Sequence, residues 1–301
     1  MDLNAIKTFC RTIEAGNMTA AAKALHITKS VASRRLQALE EDLGVRLLQR
    51  ATRGVSPTDE GALFYERCQR ILDDLDDAQQ AVKHASDNLV GHIRVTAPRS
   101  FADLHLRKAF IAFMKLHPAV TLELNLTDER VDIVSGGYDL GFRITSNLDD
   151  SALIAKKVAP MRFHTVASPD YLKEYGTPQT PDDLRHHKCL FYANVSANQQ
   201  WRFLDGSQMK SVRVTGPMMS NSGTLQLEAA INGLGVATLP HFFLHDALED
   251  GQLVTILDDY IKNESALYAL YPEKRHLPLK VRTLIDFITS WFTQPQHQKC
   301  L

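Results

Sequence analysis

Residues 19–48 read TAAAKALHITKSVASRRLQALEEDLGVRLL, and this stretch decides the fold of the N-terminal part of the chain. Its first half, about Met18 to Leu25, is an alanine-rich helix pattern that permits close packing against a neighbouring helix. The chain then turns at His26–Ile27, and Thr28 stands where the N-cap of a second helix belongs. In that second helix, which begins at Lys29, apolar residues recur every three or four positions and predict one buried face: Val31 or Ala32, Leu36, Leu39 and Leu43.

The other face of the second helix carries short hydroxyl and long cationic side chains near its N-terminal end. Its residues are Lys29, Ser30, Ser33 and Arg34, with Thr28 directly before them. Hydrogen-bond donors and cations at an exposed helix start are suited to the major groove of duplex DNA. The alternative is an ordinary amphipathic helix pair, since most such pairs bind nothing. The flanking sequence favours a helix-turn-helix whose second helix reads DNA.

A basic stretch, RLLQRATRGVSPT (46–58), follows the second helix and predicts a small β-hairpin wing. Arg50, Thr52 and Arg53 are placed to reach phosphates or the minor groove, where the local potential favours cations. The alternative is a solvated basic loop, but its position directly after a recognition helix favours DNA contact. An opening helix that ends near Gly16 is expected to complete a three-helix core.

The residues from Asn4 to Gly61, NAIKTFCRTIEAGNMTAAAKALHITKSVASRRLQALEEDLGVRLLQRATRGVSPTDEG, resemble the winged helix-turn-helix of the LysR-type transcriptional regulators. The resemblance is dense over this stretch and looser over the remaining chain, and its many fixed spacings make it far more specific than a short signature. Lys29 and Ser30 depart from it, because many members carry Gln and Pro or Ala at these positions. They are presumed base-reading positions, so no operator sequence is carried over.

The resemblance also implies partners. It implies a small-molecule effector bound by a two-lobed C-terminal domain and pairs of dimers, which the residues themselves do not show. RNA polymerase is a further expected partner of such a regulator. Neither a cofactor nor an enzymatic activity is expected.

The charges of the chain are divided unevenly between a basic N-terminal segment, residues 1–57, which we call the head, and an acidic remainder. Residues 1–57 hold nine Lys and Arg against five Asp and Glu, about four net positive charges, although the whole chain has a formal net charge of -1. The rest therefore carries about five net negative charges, so DNA contact is expected in one domain only. The residue pattern predicts neither a membrane span nor a signal peptide. Four widely spaced cysteines fit a reducing cytoplasm, with a redox pair as the less favoured alternative.

A long helix is predicted from Thr58 to about Asp87, with acidic residues Asp59 and Glu60 at its start. Apolar residues alternate four and three apart along it, which is typical of a coiled-coil seam: Phe64, Cys68, Ile71, Leu75, Ala78, Val82 and Ala85. A lone helix with one narrow apolar stripe is not stable, so we expect a second copy against it. A dimer would present two recognition helices, and its site should be an imperfect palindrome with half-sites one helical turn apart.

The remaining chain predicts two α/β lobes. Strand patterns alternate with helix patterns from HIRVTA (92–97) onward, which indicates a parallel, doubly wound sheet, and the pattern restarts near Pro160. The expected domains are a winged helix-turn-helix at 1–57, a dimerising linker helix and hinge at 58–90, and an effector domain at 91–301. Within it, lobe I is expected at 91–161 and 267–301 and lobe II at 162–266. This two-lobed form is that of periplasmic-type solute-binding folds.

Ligands of open α/β sheets lie beyond the carboxyl ends of strands, where helices begin. Three segments meet that description, and their candidate residues are Arg99, Ser100, Phe101, Arg143, Thr145, Asn221, Ser222 and Thr224. Helix starts together with an arginine predict a small anionic effector such as a carboxylate. For Ser100 a capping box with Asp103 is an equally good explanation, and the two roles are compatible.

No motif in the sequence indicates catalysis, and the pair His241 and His245 lacks a recognisable metal partner. The favoured function is a ligand-responsive transcription regulator in which effector binding alters lobe closure and the spacing of the DNA-binding heads. One alternative is an enzyme or solute-binding protein that carries an unrelated helical domain. The other is an architectural DNA binder, for which the two-lobed body would have no task.

Overall fold

A computed structural model of the chain describes residues 2–51, 54–83, 89–148, 153–193, 200–261, 264–273 and 277–298, without the side chains of 50–51, 70, 73–74, 76–83 and 298. The chain forms two compact units, residues 1–87 and residues 88–301. None of the helices in the described ranges combines the length and apolar character that a membrane crossing requires.

The first unit begins with three helices: α1 (Leu3–Ala15), α2 (Met18–Ala24) and α3 (Lys29–Leu43). His26 turns the chain between α2 and α3 with a positive φ of 55°. Thr28 is the N-cap of α3, so the predicted corner and cap are confirmed. Leu43, which was predicted to be buried, is 37% exposed. That prediction is wrong because α3 ends there and Gly44 turns the chain away in the left-handed region.

The core of this unit is made by α1, α3 and the following helix. Its buried residues are Ala5, Ile6, Phe9, Cys10, Leu36, Leu39, Leu47 and Cys68. The predicted wing is present as β1 (Leu48–Ala51) and β2 (Gly54–Pro57), an antiparallel hairpin. The Glu40 carboxylate accepts hydrogen bonds from the backbone N–H groups of Leu47 (2.7 Å) and Leu48 (3.1 Å). Glu40 therefore fixes the wing to α3.

Helix α4 (Asp59–Lys83) follows the wing and begins where the sequence predicted. Thr58 Oγ1 accepts the Gly61 N–H at 3.0 Å, which caps its first turn. The aromatic ring of Phe64 packs against Phe9 with ring centroids 5.6 Å apart, and Cys68 is buried in the same core. Part of the predicted seam thus packs inside its own unit.

Lobe I is built on a sheet with strand order β4–β3–β5–β14–β6. Its strands are β3 (Gly91–Ala97), β4 (Val120–Leu126), β5 (Leu140–Thr145), β6 (Leu153–Pro160) and β14 (Ala266–Pro272). Its helices are α5 (Arg99–Phe101), a π-helical turn (Ala102–Leu106), α6 (Arg107–Leu116), α10 (Leu279–Thr293) and α11 (Pro295–Gln298). The buried residues of these elements form one core.

Lobe II is built on a second sheet, with strand order β11–β8–β12–β7–β13. Its strands are β7 (Phe163–Ala167), β8 (Lys188–Tyr192), β11 (Thr215–Ser220), β12 (Val236–Pro240) and β13 (Val254–Ile256), with β9 (Gln200–Asp205) and β10 (Gln208–Arg213) in a separate hairpin. Its helices are α7 (Pro169–Tyr175), α8 (Gly223–Ile231), α9 (His241–Glu249) and 3-10 turns at Pro181–His186 and Asp258–Tyr260. Apolar clusters cover both faces of this sheet.

Both sheets are mixed, which corrects the expectation of parallel sheets. Strands β3, β4 and β5 are parallel, whereas β14 is antiparallel to both β5 and β6. In lobe II, β7 is antiparallel to β12 and β13. The reason is the chain path, because β7 and β14 are the strands by which the chain enters and re-enters a lobe. The two crossings are adjacent, and the Met161 N–H donates to the Ser265 carbonyl at 2.8 Å.

Candidate functional site

The exposed side of α3 carries all the polar residues that the sequence singled out on this helix. Lys29, Ser30, Ser33 and Arg34 are exposed, and so is Thr28 before them. On the opposite side Ala32, Leu36 and Leu39 are at most 4% exposed and hold the helix against the core. The head therefore offers one rigid helix whose polar, cationic N-terminal half faces outward.

Thr28 holds the first turn of α3. Its Oγ1 accepts a hydrogen bond from the Val31 N–H at 3.3 Å and lies 2.9 Å from the Ser30 hydroxyl. An N-cap bond of this kind satisfies one of the unpaired N–H groups at a helix start. The cap thus orders the turn from which Ser30 projects.

The wing residues that the sequence proposed are only partly described. Arg50 pairs through its backbone with Val55 in the hairpin, but its side chain lies outside the described part of the chain. Thr52 and Arg53 lie outside the described residues altogether.

The predicted dimerisation residues fall into three groups: partly buried, exposed and outside the described part. Phe64 packs on the unit's own core, and Leu75 is half-buried. Ile71 is 51% exposed, and Leu63, which the seam did not include, is 58% exposed on the same helix. The side chains of Ala78 and Val82 lie outside the described part.

A cavity of about 1890 Å³ lies between lobe I and lobe II. Four of the predicted effector residues line it: Ser100, Phe101, Arg143 and Thr145. Arg99 is exposed beside it and donates from Nε to the Leu126 carbonyl at 3.3 Å. Asn221, Ser222 and Thr224 lie at the start of α8, and none of them is among the lining residues.

The helix start at Ser100 is already occupied by a carboxylate of the same lobe. Asp128 accepts hydrogen bonds from the backbone N–H groups of Arg99 and Ser100, while its burial raises the pKa of its carboxyl overall. Pro98 is the N-cap of α5, without a side-chain capping bond, so the capping box of Ser100 with Asp103 is wrong. The reason is that Asp128, which is distant in the sequence, accepts hydrogen bonds from the backbone N–H groups of Arg99 and Ser100 instead.

Arg143 projects from β5 into the cavity and is half-buried. Its Nη2 donates to the Val131 carbonyl at 3.3 Å. Burial, and then the neighbouring charge of Arg130, lower the pKa of its guanidinium. Among the residues that the structure describes, no carboxylate lies within ion-pair distance of Arg143. An anion bound there would therefore be stabilised by a desolvated cation.

Lobe II contributes an aromatic wall that the sequence reasoning missed. Its lining aromatic residues are Phe163, Tyr192, Trp201, Phe203, Phe242 and Phe243. Trp201 and Phe203 alternate on β9 and so face the same side of the hairpin. That two-residue spacing of aromatic side chains was the available signal. The cavity is apolar on one side and carries charged groups on the other, as small-molecule sites commonly do.

The described cysteines are buried, and their burial disfavours the thiolate form. Burial raises the pKa of Cys10 to about 12, of Cys68 to about 11 and of Cys189 to about 12. Cys300 lies outside the described residues. No group of three metal-ligating side chains is assembled within the described ranges.

Known proteins match both units. The family model described as "Bacterial regulatory helix-turn-helix protein, lysR family" matches residues 3–62, and "LysR substrate binding domain" matches residues 86–293. An uncharacterized HTH-type transcriptional regulator of Haemophilus influenzae is 40% identical over 279 residues, which cover 93% of this chain and 96% of that protein.

Two solved full-length structures are also similar. The Vibrio cholerae virulence activator AphB, a member of the LTTR protein family, has a TM-score of 0.58 at 30% identity, covering 96% of this chain and 99% of that one. CrgA, a LysR-type transcriptional regulator from Neisseria meningitidis, has a TM-score of 0.60 at 27% identity, covering 98% and 100%. These matches confirm the predicted fold class, a winged helix-turn-helix, a linker helix and a two-lobed α/β effector domain.

The matches also decide between the functions that the sequence left open. Relatives over the whole length are transcriptional regulators and activators, so the enzyme alternative is excluded. The helical head binds DNA, and the two-lobed body takes a small-molecule effector. The chain belongs to the LysR family of bacterial helix-turn-helix proteins, and it is a sequence-specific transcriptional regulator under the control of an effector.

Proposed function

We propose that the regulator reads an imperfect palindrome with two copies of α3 and responds to a small carboxylate bound by Arg143. The proposed domains are the head at 1–57, the linker helix and hinge at 58–90 and the effector domain at 91–301. Because it acts on DNA, we propose that the regulator works in the cytoplasm. We also propose that its dimers associate in pairs and that it contacts RNA polymerase.

The observation that carries the DNA contact is the two-sided character of α3. Its polar half, from Thr28 to Arg34, is exposed, while its apolar half is held by the core. We assign Ser30 and Ser33 to base edges and Lys29 and Arg34 to bases or phosphates, with Arg50, Thr52 and Arg53 of the wing on the flanking backbone.

The DNA contact is tested by binding to the promoter region of the regulator's own gene at several salt concentrations. Arg34→Ala should lower affinity, and a lost phosphate contact would also reduce the salt slope by about one. Lys23→Ala on α2, also exposed, is the matched control. Equal affinity of the Arg34 variant and the wild type would remove Arg34 from the interface.

Dimerisation is supported by the exposed apolar residues of α4. Leu63 is 58% and Ile71 is 51% exposed on a helix of 25 residues. Such a helix needs a partner, and a second copy would bury this face and place two heads on one duplex. The predicted seam residues Leu75, Ala78 and Val82 would extend that contact.

The effector contact is supported by the unpaired charge of Arg143 within the cavity. We expect small carboxylates to alter promoter affinity or footprint, and their uncharged amides to have weaker effects. Arg143→Gln should abolish the response while the effector-free protein still binds DNA. Arg107→Gln, an exposed arginine outside the cavity, is the control. An unchanged response in Arg143→Gln would exclude this residue as the anchor.

A further inference from the structure

Gln226 on α8 is a buried amide without a hydrogen-bond partner. The residue is 1% exposed, and neither Nε2 nor Oε1 makes a hydrogen bond with any residue that the structure describes. Burying a polar group unpaired is costly, and native proteins retain such groups where another role compensates for the cost.

The turn of α8 that precedes Gln226 packs against a residue that lines the cavity. Side chains of a helix lean back over the preceding turn, so Gln226 leans toward Gly223, three residues earlier on the same face. Gly223 is buried against Phe243, and a Cβ at that position would overlap the Phe243 ring. Phe243 in turn lines the cavity between the lobes. One aromatic ring thus stands between the cavity and the turn of α8 that carries Gln226.

The first turn of α8 adds further polar groups at this place. Ser222 is the N-cap, and its Oγ accepts the Leu225 N–H at 3.3 Å. The N–H groups of Gly223 and Thr224 precede that bond and have no partner within the helix. This is the segment that the sequence proposed for effector contact, although Phe243 separates it from the cavity.

We propose that Gln226 and the start of α8 form a polar subsite that the effector enters when the Phe243 ring rotates aside. The ring is only half-buried and packs on Phe242 with centroids 4.5 Å apart. The subsite rests on the proposed function, because it takes the second polar group of an effector whose carboxylate is held in the same cavity. It makes Gln226 a specificity-determining residue.

The chemistry of Gln226 specifies the class of that second group. A glutamine amide donates from Nε2 and accepts at Oε1, so its complement accepts and donates at neighbouring atoms. A carboxamide does both. A carboxylate only accepts, and would leave Oε1 without a donor at a buried site. The effector is therefore a carboxylate that also carries a carboxamide or an equivalent neutral donor–acceptor group.

A first test needs no ligand. If the amide is unpaired in the effector-free protein, Gln226→Leu removes that penalty and should raise the melting temperature of the full chain by about 2–4 °C. Gln226→Met, which keeps the unbranched shape, should act in the same direction. Gln208→Leu, at an exposed position of β10, is the control and should change little. A fall in melting temperature in both Gln226 variants would indicate a structural hydrogen bond and overturn the subsite.

A second test uses matched pairs of probes measured by calorimetry on the full chain. The pairs are 4-carbamoylbenzoate with 4-methylbenzoate and succinamate with butanoate, which differ by a carboxamide in place of a methyl group. We expect the carboxamide member of at least one pair to bind about tenfold more tightly, and the preference to vanish in Gln226→Leu. Glu228→Gln, at an exposed position of the same helix, should keep it.

The outcomes separate the subsite from the proposed anchor. Equal affinity within both pairs, or a preference that survives in Gln226→Leu, overturns the subsite and leaves Arg143 in place. Loss of binding of both members in Arg143→Gln supports the anchor, while Gln226→Leu should remove only the preference. If no probe binds, the effector class named here is wrong, and the anchor is judged by its own carboxylate panel.

Discussion

Gly61 lies so close to the Leu47 carbonyl oxygen that a Cβ at position 61 would overlap it. That carbonyl is fixed, because it accepts the Thr58 N–H at 3.0 Å. The first turn of α4 is therefore packed tightly against Leu47, in the segment that connects α3 to the wing. The absence of a side chain at this glycine makes the close approach possible.

Gly61→Ala should destabilise the head by about 1–3 kcal/mol, since backbone atoms cannot move aside as a flexible side chain can. The expected result is faster hydrogen exchange in α1, α3 and the wing, together with weaker DNA binding. Ala62→Ser, at the next and exposed position, is the control. Unchanged exchange in Gly61→Ala would mean that α4 can shift away from the wing at little cost.

Thr28→Ala should loosen the first turn of α3 without unfolding the head. Loss of an N-cap costs about 1 kcal/mol, so exchange of the Val31 amide should rise about fivefold. Thr28→Ser keeps the accepting oxygen and should behave like the wild type. If the alanine and serine variants exchange alike, the 3.3 Å bond to Val31 does not order the turn.

Sequence pattern alone predicted the head almost completely. The caps at Thr28 and Thr58 are local signals, and the apolar spacing of α3 records its buried face directly. Strands were also found where alternation is strong, as in β3, β4 and β14. Their direction was not predictable, because β14 joins lobe I from a segment that follows the whole of lobe II, and local periodicity carries no information on such pairing.

The candidate effector site was predicted in part. Arg143 was identified because it ends a buried strand, and a strand end at a cleft is a general rule. The occupation of the α5 start by Asp128, and the position of Phe243 in front of α8, depend on contacts between distant segments. No spacing in the sequence encodes either contact.

Ile71→Asp should convert the proposed dimer to a monomer, because it places a charge in the apolar face that we assign to the partner helix. Light scattering during gel filtration measures this, and affinity for the full palindrome should fall much more than affinity for a half-site. Ala62→Asp, exposed on another side of α4, tests whether any added charge has the same effect. A dimeric Ile71→Asp protein would place the interface elsewhere.

The stability of the effector unit should decrease as the pH falls below 6.5. Burial lowers the pKa of His187, which lies 3.2 Å through Nδ1 from the Tyr171 hydroxyl. That hydroxyl accepts the Lys188 N–H, and its own proton is available for a neutral imidazole to accept. As the pH falls, the imidazole is protonated first in the unfolded chain, where its pKa is about 6.5. The free energy of unfolding is therefore highest above pH 6.5 and falls below it, by at most about 1.4 kcal/mol per pH unit. Unfolding in urea at pH 7.5 and 5.5 measures the loss.

The controls for this pH effect are adjacent in the sequence. His187→Gln should reduce the difference between the two pH values. His186→Gln, at an exposed position, removes only the smallest contribution to the lowered His187 pKa and should change the difference much less. An equal difference in both variants would assign the effect to other groups.

The position of β14 has a consequence for how the protein is made. This strand lies between β5 and β6, yet it is the last strand that the ribosome delivers. Lobe II can fold once residue 261 has left the ribosome. Until β14 is made, the edges of β5 and β6 that pair with it remain unpaired. Unpaired edges recruit other chains. A premature stop before Ala266 should therefore yield a DNA-competent head attached to an aggregating remnant, rather than a smaller regulator without a sensor.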